Sequence, residues 1–397
     1  MRKIFGTAAD VAVVGGGVAG LAAARALARR GLAVTVVESR APGAGASNAA
    51  AGMLAPQAEA DCADELFGLL CASREMYPDF AAALGEESGV DVELDCTGTL
   101  YLAFNGEDEE EAGQRFAWQS RAGLAVERLS AAEARALEPR VSPRVRSALL
   151  FPRDWQVENR RLVRALAASA ERSGARLLAG VEARGVLVEG GRAVGVETSE
   201  GTLSAGTVVL AAGAWSSRLR QFGGGVAPEG LADDPRVEPV RGQVLCFRQD
   251  GSRGPFVRHV VYSPRGYVVP RRDGRLLAGS TTERAGFDCR VTPEGEGLVR
   301  AQAQEIAPAV STLALAESWA GLRPRAADGL PVIGESADVG RLFYATGYYR
   351  NGILLAPATG EILAGLVTSG TTPLLPHALS TFSPARFRPA LAGSHAG

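Results

Sequence analysis

Lysine is almost missing from this sequence of 397 residues: Lys3 is the only lysine among 42 basic side chains. The shortage excludes an enzyme that works through a Schiff-base lysine, or through an ammonium group beside the reacting atoms, unless the N-terminal tail reaches the site. Histidine is also scarce, with three in the chain. We assign none of the three a catalytic or metal-binding role.

Cysteine is limited to five residues, an odd number that contains no CxxC pair. This pattern argues against a disulfide framework and against a zinc site. We expect buried free thiols at Cys62, Cys71, Cys96, Cys246 and Cys289.

The sequence has neither an excess of one charge nor a long apolar run. The 42 basic and 44 acidic side chains give a net charge of −2, which favours neither nucleic acid nor an anionic membrane as a partner. No apolar run reaches the roughly 18 residues that a membrane-spanning helix needs. The first residues lead into an apolar strand and not into the core of a signal peptide, so we expect a cytoplasmic protein.

The strongest motif present is a glycine-rich turn near the N-terminus. An apolar segment leads into Gly15, Gly17 and Gly20, and a second apolar segment ends at Glu38, 18 positions after Gly20. Gly15 allows a tight turn, Gly17 lets the backbone approach a pyrophosphate, and Gly20 lets the following helix pack on the strand. A carboxylate at the distance of Glu38 accepts ribose hydroxyls and repels the 2′-phosphate of NADP. The segment predicts a dinucleotide site.

Nucleotide-type patterning returns twice after this motif. An apolar strand over 208–212 ends in small residues at Gly213, and a strand, a glycine-rich turn and a helix follow over 341–366. Between them, longer alternating strands include a hairpin turned by Asp273-Gly274. A ligand contacted by both ends of the chain suits the long FAD molecule.

The same patterns divide the chain into two interleaved domains. We predict an FAD-binding domain from residues 1–86, 153–225 and 320–380, a substrate domain from 87–152 and 226–319, and a frayed tail over 381–397. Within them we expect a helical segment over 61–84 that is interrupted near Pro78, and a strand over 92–104.

Three further segments resemble one enzyme family in sequence and in order: 47–53, 319–324 and 347–357. Together with the Gly15 turn they are similar to the glycine oxidases of thiamine biosynthesis, within the D-amino acid oxidase/sarcosine oxidase superfamily. The similarity extends from about residue 10 to 366. It implies an α/β fold, in which a Rossmann FAD-binding domain like that of glutathione reductase is interleaved with a substrate domain on a large mixed sheet. It also implies bound FAD and permits a homo-oligomer.

The resemblance assigns roles to particular residues. It implies a substrate carboxylate clamped by Arg323 and Tyr267, with Met53 shaping the pocket and Arg350 beside flavin and substrate. The FAD contacts that it adds to the glycine-rich turn and Glu38 are Val18, Ala19, Ser39, Ala46, Ser47, Ala51, Gly52, Met53, Val181, Tyr348, Tyr349, Arg350, Asn351, Gly352, Ile353 and Leu354.

The implied activity is oxidation of glycine and small relatives, such as sarcosine or small D-amino acids. With the carboxylate fixed, Cα–H faces flavin N5 for hydride transfer, and the products are imine, glyoxylate, ammonia and hydrogen peroxide. No cysteine lies near Arg323, which implies noncovalent FAD. A mobile pocket loop is expected over 261–266, where Arg265 adds a cation.

Other interpretations remain open at this point. Arg323 could form a structural salt bridge between domains, and Met53 could be core packing. The chain could be a D-amino acid dehydrogenase with a non-oxygen acceptor, a tRNA-modifying flavin oxidase, or a non-catalytic FAD-binding protein. Its near-neutral charge argues against the tRNA function.

Overall fold

The computed structural model describes residues 8–219, 234–249, 255–374 and 379–388. Lys3, His377, His395, the predicted boundary at 225/226 and the end of the predicted tail lie outside these ranges.

Two large sheets organise the described residues. The first has the strand order β17-β18-β11-β1-β2-β8, and β9 and β10 extend it from β11. Its strands are β1 (Ala9–Val14), β2 (Val34–Glu38), β8 (Arg176–Ala179), β9 (Ala183–Glu189), β10 (Arg192–Thr198), β11 (Gly201–Leu210), β17 (Val332–Glu335) and β18 (Leu342–Thr346). The neighbours β8, β2, β1, β11 and β18 run parallel, so their carboxyl ends meet at one edge. Ligands of open α/β sheets bind at such an edge.

The second sheet is mixed, with the order β16-β12-β15-β14-β13-β4-β6-β5. Its strands are β4 (Thr99–Ala103), β5 (Glu127–Ser130), β6 (Ser147–Phe151), β12 (Glu238–Arg248), β13 (Val260–Ser263), β14 (Gly266–Pro270), β15 (Arg275–Gly279) and β16 (Ala314–Arg325). A short pair, β3 (Met53–Leu54) and β7 (Trp155–Gln156), lies apart from both sheets. The predicted 319/320 boundary falls inside β16, and the division into domains remains a prediction.

Helices cover the sheets. They are α1 (Val18–Ala28), α2 (Ala46–Ala49), α3 (Pro56–Glu59), α4 (Glu65–Glu75), α5 (Tyr77–Ser88), α6 (Gly106–Arg121), α7 (Ala131–Leu137), α8 (Asn159–Arg172), α9 (Pro293–Ile306), α10 (Ala356–Ser369) and α11 (Leu379–Phe382). All 11 residues of α1 are buried, as expected for a helix of small apolar residues packed on every side. A Cβ atom at Gly360 would lie 2.9 Å from the Ala22 carbonyl oxygen, so α10 packs closely on α1.

The predicted interruption of the helical segment near Pro78 is confirmed: the break lies two residues earlier, at Met76, and Pro78 lies in the first turn of α5, where proline is favoured. One strand prediction was wrong in its extent. The strand predicted over 92–104 is limited to β4, because Thr97 hydrogen-bonds back to Asp95 in a turn before it.

The predicted tail and the predicted thiols need similar corrections. Phe382 is buried, and a 3-10 helix follows at Pro384–Phe387, so this part of the tail is packed. Of the cysteines only Cys246 is buried, whereas Cys62, Cys96 and Cys289 are exposed.

Candidate active site

A cavity of about 720 Å³ lies between the carboxyl edge of the first sheet and one face of the second. Nearly all residues that were predicted to form the site line it. They are Gly15, Gly17, Val18, Ala19, Glu38, Ser39, Ala46, Ser47, Ala51, Gly52, Met53, Gly213, Tyr267, Arg323, Tyr348, Tyr349, Arg350, Asn351, Gly352, Ile353 and Leu354. Gly20 and Val181 do not line it.

The glycine-rich turn joins β1 to α1 at one end of this cavity. Gly15 has φ +108°, and a Cβ there would lie 2.4 Å from the Ala211 carbonyl oxygen. A Cβ on Gly20 would lie 2.0 Å from the Gly15 carbonyl oxygen, which explains the requirement for glycine away from the cavity wall. The Val18 N–H donates to Ser47 Oγ at 3.0 Å, so Ser47 reaches the first turn of α1.

The Glu38 carboxylate is held in place at the end of β2. It accepts hydrogen bonds from the Gly16 N–H at 2.8 Å and the Arg40 N–H at 2.8 Å. Val181, which was expected to touch the cofactor, is buried, and its N–H donates to the Glu38 carbonyl oxygen at 3.0 Å. Val181 therefore helps to hold the strand end that bears Glu38, and its contact with the cofactor remains a prediction.

The loop of small residues around α2, over 42–56, is held in place by hydrogen bonds from long side chains elsewhere in the chain. Asn159 Nδ2 donates to the Ser47 carbonyl oxygen at 2.8 Å, Trp319 Nε1 to Ala49 at 3.1 Å, and Arg271 Nη2 to Ala51 at 2.7 Å. Arg271 is buried, which lowers its pKa to about 10. These bonds hold the loop backbone as a wall of the cavity, with few side chains between it and a flat ligand.

The turn before α10 forms the opposite wall. Tyr349 has φ +47°, and its N–H donates to the Pro324 carbonyl oxygen at 2.7 Å, which ties the turn to β16. The Tyr77 hydroxyl donates to the Ile353 carbonyl oxygen and the Ser73 hydroxyl to that of Leu354. Non-glycine residues with positive φ persist where the surroundings hold them, often at functional sites.

Arg323 lies on β16, and its hydrogen-bond acceptors among the described residues are all neutral. Its guanidinium donates to Ser280 Oγ at 2.6 Å and to the Thr281 carbonyl oxygen at 3.1 Å. Burial lowers its pKa, and within the described ranges no carboxylate lies within 4.0 Å of it. A half-buried cation without a counter-ion is a binding position for an anion. The interdomain salt bridge that was the alternative for Arg323 is absent from the described part of the chain.

Tyr267 faces the same end of the cavity from β14. Its ring is stacked on Tyr262, with centroids 6.3 Å apart, and Tyr262 stacks on Tyr101 at 5.7 Å. A Cβ on Gly279 would lie 2.4 Å from the Tyr267 hydroxyl, so glycine leaves space beside it. No residue in the described ranges hydrogen-bonds to this hydroxyl, which leaves it available to a ligand.

Arg350 and Met53 complete this end of the cavity. Arg350 Nη2 lies 3.6 Å from Glu59 Oε1, and this carboxylate raises the pKa of Arg350. Met53 is half-buried against both Tyr262 and the core beneath α3, so it serves as core packing and as pocket wall.

The loop expected over 261–266 is not a pocket loop. Residues on both sides belong to β13 and β14, which are joined by a tight turn. Arg265 donates to both carboxylate oxygens of Asp108, at 3.0 and 2.8 Å, and its Nε donates to Glu305 at 2.8 Å. The cation predicted for the pocket is therefore bound to α6 and α9 and does not line the cavity.

Residues 10–366 match the family model described as FAD dependent oxidoreductase. The chain belongs to this family. The glycine oxidase of Geobacillus kaustophilus is 36% identical over 360 residues, which cover 90% of this chain and 92% of that protein. The glycine oxidase of Pseudomonas aeruginosa is 36% identical over 366 residues, which cover 92% and 96%. The crystal structure of the Geobacillus enzyme superposes with a TM-score of 0.88 at 35% identity, covering 95% of this chain and 98% of that one.

The membership confirms the predicted fold class, the resemblance and the FAD cofactor, and the cavity fits that cofactor. Gly15 and Gly17 line the cavity where a pyrophosphate would lie, and the Glu38 carboxylate, held by the Gly16 N–H, lines it where ribose hydroxyls would lie. The loop over 42–56 and the Tyr349 turn enclose the space between this end and Arg323. All five cysteines lie in the described ranges, and none of them lines the cavity.

This FAD-dependent oxidoreductase has further cavity residues that the sequence patterns did not identify. Besides Arg40, they include Glu59, Trp215, Gly242 and Val244. Glycine is required at position 242, since a Cβ there would lie 2.3 Å from an Arg323 nitrogen. One feature of the sequence could have identified Glu59 as a site residue. It is the first acidic residue after Glu38, and it follows a long stretch rich in small residues.

Proposed function

We propose that this protein oxidises glycine and small related amines that bear one carboxylate, such as sarcosine and small D-amino acids. The overall reaction gives an imine, which water hydrolyses to glyoxylate and ammonia in the case of glycine, and reduces oxygen to hydrogen peroxide. The observation that supports the proposal is Arg323, a half-buried guanidinium with neutral partners at the substrate end of the FAD cavity. The names of the relatives agree with it.

The chain's own residues bind and orient the substrate. Arg323 presents a planar, charged group to the carboxylate, and Tyr267 adds a hydroxyl donor on the same side. Bound FAD supplies the two-electron oxidation of the Cα–N bond. Because the carboxylate is held at a fixed position, the reacting Cα–H is oriented without a catalytic acid or base. Tyr267 and Met53 supply apolar surface at this end of the cavity.

The proposal extends to three features that follow the family resemblance. FAD is bound noncovalently, which agrees with the absence of cysteine from the cavity lining in the described residues. Oxygen is the electron acceptor, and its reduction proceeds without a lysine. The imine supplies thiamine thiazole biosynthesis.

None of the described helices combines the length and the apolar character of a membrane span.

Anaerobic mixing of the FAD-loaded protein with glycine, sarcosine, D-alanine and D-proline tests the proposal. We expect the visible flavin absorbance to bleach with glycine, and peroxide to form when oxygen is admitted. Bleaching without peroxide would favour a dehydrogenase with another acceptor. If none of the four compounds bleaches the flavin faster than buffer does, the proposed function is wrong.

The clamp is tested with Arg323→Ala, against Arg248→Ala on the exposed end of β12 as the matched control. Loss of a buried charged partner costs roughly 2–5 kcal/mol, which is about thirtyfold or more in kcat/KM for glycine. FAD content remains that of the parent, because Arg323 lies at the far end of the cavity from the glycine-rich turn. An unchanged kcat/KM would contradict the assignment.

A further inference from the structure

The substrate end of the cavity contains two guanidinium groups and one carboxylate. Arg323, Arg350 and Glu59 all line it. Glu59 Oε1 lies 3.6 Å from Arg350 Nη2, whereas Arg323 has no carboxylate within 4.0 Å among the described residues. The three groups leave one positive charge uncompensated, which matches a ligand with one acid group.

Glu59 is held in place by a buried framework. The Asp154 carboxylate accepts hydrogen bonds from the Gln57 N–H at 3.2 Å and the Ala58 N–H at 2.7 Å. From the other side, the Arg115 guanidinium donates to the Ala58 carbonyl oxygen at 2.9 Å and that of Ala60 at 3.2 Å. The backbone is thus bonded on both sides of Glu59.

The supports themselves are removed from solvent. Asp154 is fully buried and Arg115 is 5% exposed, and Asp154 also accepts from Arg74 at 3.2 Å. A site residue whose position is fixed by buried hydrogen bonds is a preorganised contact, not a surface side chain that has reached the cavity by chance. A carboxylate so placed opposes any ligand that brings negative charge toward Arg350.

We propose that Glu59 determines substrate specificity by occupying Arg350, which confines the site to amines with a single acid group and rejects amines with two. The inference rests on the proposed function, because it takes Arg323 as the partner of the first carboxylate. A second carboxylate would lie beside Glu59, and like charges placed together at a binding interface oppose association strongly. Arg350 would bind that second carboxylate if Glu59 were neutral.

The test uses Glu59→Gln, which keeps the shape and removes the charge, in the FAD-loaded protein. Glycolate and malonate are titrated anaerobically against the flavin absorbance, and the ratio of their Kd values is compared with that of the parent. We expect the ratio to shift toward malonate by about tenfold or more. Oxidation of iminodiacetate relative to sarcosine should shift in the same direction.

Three further variants separate charge from structure. Glu59→Asp retains the negative charge, so it should keep the preference for glycolate. The double variant Glu59→Gln/Arg350→Gln should not show the tighter malonate binding expected of Glu59→Gln, because the guanidinium that would bind the second carboxylate is removed. Glu317→Gln, an exposed residue of β16 that pairs with Arg160, is the matched control and should leave the ratio unchanged.

The outcomes separate a failure of the role proposed for Glu59 from a failure of the proposed function. If glycine bleaches the flavin of the parent and Glu59→Gln does not change the glycolate-to-malonate ratio, the role of Glu59 is wrong and the proposed function stands. A parent that binds malonate as tightly as glycolate also overturns it. If no amino acid bleaches the parent, the proposed function and the inference both fail.

Discussion

The two ends of the cavity are built in different ways. At the nucleotide end, the glycine-rich turn and Glu38 lie within one β-α-β unit of about thirty residues, and their geometry follows from local conformation. At the substrate end, Arg323 and Tyr267 lie on different strands of the second sheet, and Glu59 lies on α3. The comparison indicates that the cofactor end depends on backbone shape, whereas the substrate end depends on charges aligned by long-range contacts.

The largest effect should follow from a change at the nucleotide end. Gly20→Ala places a Cβ 2.0 Å from the Gly15 carbonyl oxygen, so α1 must move away from β1. We expect a loss of roughly 3 kcal/mol in the free energy of unfolding, together with loss of bound FAD. Flavin content after purification and Tm measure the two effects.

Gly68→Ala in α4 is the matched control, since nothing lies within 4 Å of a Cβ at that position. Alanine in a helix interior should leave flavin content unchanged and raise stability slightly. If Gly20→Ala retains its flavin and its Tm, backbone shape is not what positions the cofactor, and the contrast between the two ends is lost.

The same contrast explains what the sequence could predict. The Gly15 turn and Glu38 follow from residue types at short spacing, and the return of nucleotide-type patterns late in the chain indicated FAD. The family resemblance indicated Arg323, Tyr267 and Arg350. The framework of Glu59 could not be predicted, because Arg115 and Ala58 are separated by 57 positions. Arg271 and Ala51, which fix the cavity wall, are separated by 220. No local pattern encodes such pairs.

Arg265 illustrates the opposite error. The family resemblance predicted a mobile loop before Tyr267, with a cation at Arg265, but the registers of β13 and β14 leave only a tight turn there. The cation then binds Asp108 and Glu305 on two helices. Composition indicated the charge correctly, whereas its partners depend on which helices cover the sheet.

An intermediate effect should follow from Tyr267→Phe at the substrate end. The ring and its stacking on Tyr262 remain, and only the hydroxyl that we propose as a donor to the substrate carboxylate is lost. A hydrogen bond to a charged group contributes about 1.5 kcal/mol or more, so KM for glycine should rise roughly tenfold with unchanged flavin content. Steady-state peroxide production measures KM.

Tyr262→Phe is the control for the hydroxyl, because the Tyr262 ring supports Tyr267 but does not line the cavity. Its KM should stay close to that of the parent. An equal rise in both variants would mean that the stack, and not a hydroxyl donor, governs this end of the cavity.

The smallest effect should follow from Asp108→Asn, which weakens the contact of α6 with Arg265 in the β13–β14 turn of the second sheet and touches neither end of the cavity. Burial opposes ionisation of Asp108, but hydrogen bonds from Arg265 and from the Phe104 N–H outweigh it and hold its pKa below the usual range. A depressed carboxyl pKa contributes stability above the unfolded pKa of about 4, and this contribution is lost as the pH falls through the folded value. Tm measured from pH 7 to pH 3 should therefore show Asp108→Asn about 1 kcal/mol less stable at neutral pH, with the two curves converging in acid.

Flavin content should stay that of the parent throughout the range in which both proteins are folded. A constant Tm difference at every pH would mean that Asp108 acts through packing, and a loss of flavin would mean that the second sheet also positions the cofactor.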